Sequence, residues 1–206
     1  RMSNFEGTLR GIPLLTRALR ECRESGSVFH ESHGFGLLYQ AMHVISGVLE
    51  HDDAKKSFAN RFVSAGLVRE VVPMMVEEPD DSLLQDFSCE AMKWITDENV
   101  TVQHHLASAG AIELASKALT RFAHGHPNGY SKVVGTCSAL LLNFALTRTD
   151  WQDKMLRLNV FDSLDSEVFR QYPKSGSDDV LYRQKTFPNS NLYKLKEVLG
   201  LRVLSK

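Results

Sequence analysis

Cysteine is scarce in this chain, with three in 206 residues. Cys22, Cys89 and Cys137 stand far apart and form no Cys-x-x-Cys pair. That excludes a dense disulfide framework and the usual zinc spacings, and it reads as reduced thiols in a cytoplasmic protein. An excess of one charge is also missing. With 24 basic and 25 acidic residues the formal net charge is −1, so no bulk attraction to nucleic acid or to an anionic membrane is available. No apolar run approaches the roughly 18 residues that a membrane span needs. The opening, Arg1-Met2-Ser3-Asn4-Phe5-Glu6, lacks the apolar core of a secretory signal. No segment alternates convincingly as a β-strand, so no glycine-rich phosphate loop follows one.

Helical periodicity is what the chain does have. Apolar residues at helical spacing mark segments over residues 11–24, 35–50, 54–64, 67–77, 82–97, 100–108, 111–123, 130–147, 151–158 and 160–170. Asp52 or Asp53, an acidic residue before 82, and Asp150 stand where helix caps belong. Pro13 falls in the first turn of its segment, where proline costs nothing. Pro73 falls inside its segment, which predicts a kink or a start delayed to about Val71.

The helices repeat. Ser64-Ala65-Gly66 returns as Ser108-Ala109-Gly110, 44 positions on (66 to 110). Phe62, Val68, Val71 and Met75 around the first copy correspond to Leu106, Ile112, Ala115 and Leu119 around the second. Weaker copies stand at Leu158-Asn159-Val160-Phe161 and near Arg10-Gly11-Ile12. The longer helices also align. Gln40-Ala41-Met42-His43-Val44-Ile45-Ser46-Gly47 matches Glu90-Ala91-Met92-Lys93-Trp94-Ile95-Thr96-Asp97 and Thr136-Cys137-Ser138-Ala139-Leu140-Leu141-Leu142-Asn143. Ile45, Ile95 and Leu141 become equivalent core positions. Periods of this length denote stacked helical units, none of which buries its apolar face alone.

The unit is a short helix, a glycine turn, a medium helix, a loop and a long helix. It resembles the armadillo repeat. Ser108-Ala109-Gly110-Ala111-Ile112 carries the turn of that family, and Leu140-Leu141-Leu142-Asn143-Phe144-Ala145 its third-helix pattern. The resemblance implies an all-α fold, a right-handed α-solenoid of two full and two partial three-helix units over residues 1–170. HEAT-type helix pairs are the alternative within the same class.

In armadillo arrays the third helices line a concave groove that holds peptides or helices. Mapped by periodicity, that groove takes Gln40, His43 and Gly47 from one long helix, Asp86, Glu90, Lys93 and Asp97 from the next, and Thr136, Ala139 and Asn143 from the third. The family's ligand-holding asparagine has a match only at Asn143; Asp97 and Gly47 stand at the equivalent places. Trp94 falls one position off the stripe, toward the core, so the import-receptor tryptophan ladder has no counterpart. The acidic residues of the middle helix favour a partner with basic side chains.

Competing chemistries find little support. The eight histidines include the pairs His30 and His33, His104 and His105, and His124 and His126, none of which belongs to a ligand set on regular structure. No nucleophile–base constellation emerges from spacing. The expectation is a protein without catalysis, metal or cofactor, acting as an interaction or scaffold module for an extended peptide or helix. A chaperone cofactor or regulatory adaptor clasping a folded domain along the solenoid edge is the alternative.

After residue 170 the composition changes. Pro173, Gly176, Pro188 and many polar residues make 171–189 a linker, and 190–206 a last helix with Leu192, Leu195, Val198 and Leu199 on one side. That helix either caps the array or docks on another chain, giving a dimer.

Overall fold

The structure is a computed structural model that describes residues 2–24, 55–97, 99–123, 132–160 and 189–200. The described regular elements are all α-helices: α1 (Met2–Glu24), α2 (Lys55–Ser64), α3 (Leu67–Glu77), α4 (Ser82–Thr96), α5 (Val100–Ser108), α6 (Ala111–Ala123), α7 (Lys132–Ala145), α8 (Thr149–Arg157) and α9 (Asn189–Val198). The expected helices over 35–50 and 160–170, Ile45, and the linker through residue 188 lie outside the described residues. None of these helices is long and apolar enough to cross a membrane.

Short, medium and long helices follow one another twice, as α2–α3–α4 and α5–α6–α7. This is the helix order of an armadillo-like repeat, and the breaks show why the order recurs. Gly66 at φ 93° and Gly110 at φ 92° take the left-handed conformation, which lets the chain reverse from a short helix into a medium one. Asn159 at φ 51° does the same after α8, as the non-glycine residue best suited to that region. The paired core positions agree with the register. Phe62 and Leu106, Val68 and Ile112, Val71 and Ala115, and Met75 and Leu119 are all buried. Ile95 and Leu141 are both fully buried.

The chain divides into two compact units, residues 1–111 and 112–206. In the first unit, α1 packs on α2 and α3, α4 packs on the same two helices, and α5 closes against α4 and α2. Helix α1 differs from expectation. It runs through Gly11 and Pro13 without a break, so the proposed turn near Gly11 does not exist and Pro13 is interior. Its buried face is Ile12, Thr16 and Leu19, which leaves Leu14 67% exposed. The Thr16 hydroxyl donates to the Ile12 carbonyl at 3.1 Å, so the one polar residue on that face is satisfied.

Charge fixes α1 to α3. Glu70 is only 3% exposed, and its carboxylate accepts from Arg20 Nε at 2.8 Å and from Arg23 Nη2 at 3.3 Å. Arg23 also reaches Glu77 at 3.5 Å. The hydrogen bond to Glu70, and then its charge, hold the Arg20 guanidinium above its ordinary pKa. A carboxylate buried this deeply requires such partners.

Helix α3 begins at Leu67, so the late start expected from Pro73 is not found. Pro73 is accommodated inside the helix, and its missing N–H deprives the Arg69 carbonyl of the usual donor. Pro73→Ala is expected to stabilise by up to about 2 kcal/mol, what remains of the ~3 kcal/mol interior-proline cost once ~1 kcal/mol of unfolded-state entropy is offset. A fall in melting temperature would count against it. Asp81 caps α4 as expected, its Oδ1 accepting from Leu83 and Leu84 N–H at 3.0 Å each. Leu83 is 50% exposed.

Among the described residues of the second unit the most extensive helix pairing is α9 on α7, and α8 also packs on α7. Leu192, Leu195 and Leu199 of the last segment are buried. Burial raises the Tyr193 pKa and lowers that of Lys196. Trp151 of α8 meets Phe144 of α7 edge-on at 5.4 Å between ring centres. Asp150 is not the cap of α8. Arg148 occupies that position and Asp150 lies in the first turn, bonded to the Arg148 guanidinium at 2.7 and 3.1 Å.

Cys89 of the first unit and Cys137 of the second are each fully buried and disulfide-bonded. The expectation of reduced thiols is therefore corrected, and with it goes the thiol argument for a cytoplasmic location.

Candidate functional site

The long helices carry the candidate site, one in each unit. On α4 the inward face is Leu84, Ser88, Cys89, Ala91, Met92 and Ile95, all buried. A second stripe of that helix carries charge. Glu90, Lys93 and Asp97 are half-buried, whereas Asp86 at the start of the stripe is buried. Lys93 Nζ lies 3.9 Å from the centre of the Trp94 ring, a cation–π contact. Trp94 is half-buried, so its expected core placement is only partly realised.

On α7 nearly every side is apolar and buried, from Val133 to Ala145. Thr136 and Asn143 are half-buried and Ala139 is buried. The Thr136 hydroxyl donates back to the Lys132 carbonyl at 3.1 Å, and Thr147 donates to the Asn143 carbonyl at 2.9 Å. Gln40, His43 and Gly47 lie outside the described residues.

The ends of these helices depend on polar residues that helical periodicity did not single out. Asn99 caps α5, accepting from Val102 N–H at 3.2 Å and donating to Asn60 of α2 at 3.1 Å. Gln103 donates to the Thr96 carbonyl at 2.8 Å, and Gln152 to the Ala145 carbonyl at 2.7 Å. The signal was available, since Gln103 and Gln152 each precede a left-handed break, Gly110 and Asn159, by the same seven positions (103 to 110, 152 to 159).

No other chemistry assembles among the described residues. No three side chains of metal-binding type converge there. His104 and His105 are both exposed on α5, and the other histidine pairs singled out lie outside the described residues. In the second unit Glu113 and Lys154 pair at 2.5 Å, with both side chains about a third exposed.

No family model and no curated protein sequence matches the chain. Solved structures that resemble it at low identity include three designed or engineered proteins. One is a designed armadillo repeat protein, YIII(Dq)4CqI, at 13% identity and TM-score 0.41, with 97% of this chain and 94% of that one covered. An engineered protein gives 14% identity and TM-score 0.44, over 97% of this chain and 91% of that chain. The third, computationally designed armadillo repeat proteins for modular peptide recognition, gives 12% identity and TM-score 0.39, over 96% of this chain and 94% of that one. The helix order, the left-handed breaks and the matched core positions together define an all-α, armadillo-like fold.

Proposed function

We propose that the chain is a non-catalytic protein-interaction module, whose long-helix faces bind an extended peptide or a helix of a partner carrying basic side chains. One observation carries this reading. The α4 stripe keeps Glu90, Lys93 and Asp97 partly accessible along a helix whose remaining faces are mostly buried. Glu90 and Asp97, two turns apart with Lys93 between them, offer a partner's cations a fixed spacing, with little ordering cost to the receptor. On α7, Thr136 and Asn143 are the half-buried polar groups of the corresponding face.

The test is a pair of labelled peptides, one lysine-rich and extended, the other with glutamate at the same places. The lysine peptide binds more tightly, and salt weakens it. Glu90→Lys with Asp97→Lys lowers its affinity about tenfold or more, as like charges now face each other. Equal affinities for both peptides would overturn the reading. A partner clasped along the edge of the helix array would instead be insensitive to this double substitution.

A further inference from the structure

We propose that Gln103 and Gln152 are positioning residues, each fastening the last turn of a long helix to the short helix that follows. The inference deepens the reading above, because those last turns present Lys93 and Asp97 on α4 and Asn143 on α7.

The last four carbonyls of any helix lack an intrahelical donor. Here the acceptor is the final helical residue in both cases, Thr96 of α4 and Ala145 of α7. The donor is the fourth residue of the next helix in both cases, and only residues 97–99 and 146–148 lie between the helices. A short connection leaves the angle between two helices underdetermined. One amide bridging from the second helix to the end of the first removes that freedom. Gln85 makes the same bond from the fourth residue of α4 back to Glu78, the cap residue of α3, at 2.9 Å. The device therefore appears at three helix ends of the described chain, those of α3, α4 and α7. It is not obligatory to the repeat, since the position in α2 seven residues before Gly66 is Ala59, which has no amide.

The two long helices differ in reinforcement. At the end of α4, Asn99 caps α5 and bonds Asn60 as well, and the Thr96 hydroxyl donates back to Met92 and Lys93 at 2.8 and 2.9 Å. At the end of α7, Thr147 likewise donates back to the Asn143 carbonyl at 2.9 Å, but the capping residue Arg148 gives no side-chain bond to the backbone of α8, and no counterpart of Asn99 is present among the described residues. The Gln152 bond thus bears more of the α7–α8 corner than Gln103 bears of the α4–α5 corner.

Hydrogen exchange on the free full-length protein tests this without any partner. Gln152→Met keeps length and removes the donor. It should speed exchange of the Leu146, Thr147 and Arg148 amides about tenfold, the scale of one net hydrogen bond, while the amides of Leu140 and Leu141 are unchanged. Gln103→Met should give a smaller acceleration at Asn99. Gln152→Glu, which has no donor when ionised, should behave like Met, whereas a role in filling space alone would leave both variants near wild type. Uniform acceleration along α7, or none at 146–148, overturns the proposal. Lysine-peptide binding is then measured separately. If wild type ignores the peptide but local exchange responds, the binding reading fails and the positioning role stands.

Discussion

A chain ended at Gln171 is expected to lose several kcal/mol of stability and to aggregate. The cause is the face of α7 that α9 covers. Leu192, Leu195 and Leu199 are buried, and each side chain contributes about 1.5–3 kcal/mol before ordering costs are subtracted. Removing them also leaves apolar surface of α7 open to water, which invites association. Denaturant titration and light scattering on both chains check this. Leu192→Ala with Leu195→Ala in the full chain isolates the packing from the rest of the tail and should reproduce most of the loss. A stable dimer of the full chain, alongside a well-folded monomer of the shortened one, would assign the last helix to an interface between chains.

Leu141→Ala should cost about 2–5 kcal/mol, the range for a large-to-small change in a core that cannot collapse. Leu141 is fully buried in the middle of α7, between Leu140 and Leu142, and its counterpart Ile95 is equally buried in α4. Equivalent burial implies equivalent sensitivity, so Ile95→Ala should lie in the same range. An unchanged melting temperature for Leu141→Ala would reject the alignment of the two long helices.

The repeat was legible because it is written twice, in the positions of the turns and in the apolar residues around them. Gly66 and Gly110 announce left-handed backbone, and Asn159 could be placed as their weaker relative because asparagine tolerates the same region. The first helix was less legible. Gly11 and Pro13 both argue locally for a boundary, yet α1 continues through them. Packing of Ile12 and Leu19, with the arginines on Glu70, outweighs two unfavourable local choices. The candidate site divides in the same way. Periodicity gives the direction in which a residue points from its helix axis, and that placed Glu90, Lys93 and Asp97 on one stripe. Periodicity carries no depth, so it did not distinguish buried Asp86 and Ala139 from their half-buried neighbours. The bridging glutamines escaped notice because a lone polar residue in a helix reads as surface until its carbonyl partner is seen.

The contact of Arg20 and Arg23 with Glu70 has a consequence for how this protein can vary. Glu70 is sunk against α3's neighbours, while Arg20 keeps about half of its side chain in solvent. Losing the arginines strands a buried charge, whereas losing the glutamate leaves Arg20 half in solvent and Arg23 still facing Glu77. Sequence drift here is thus directional: Glu70 can be replaced first by a neutral residue and the arginines later, but the reverse order passes through an unstable intermediate. Substitutions at these three positions would be strongly non-additive, and the N-terminal helix would carry its own record of the order in which they occurred.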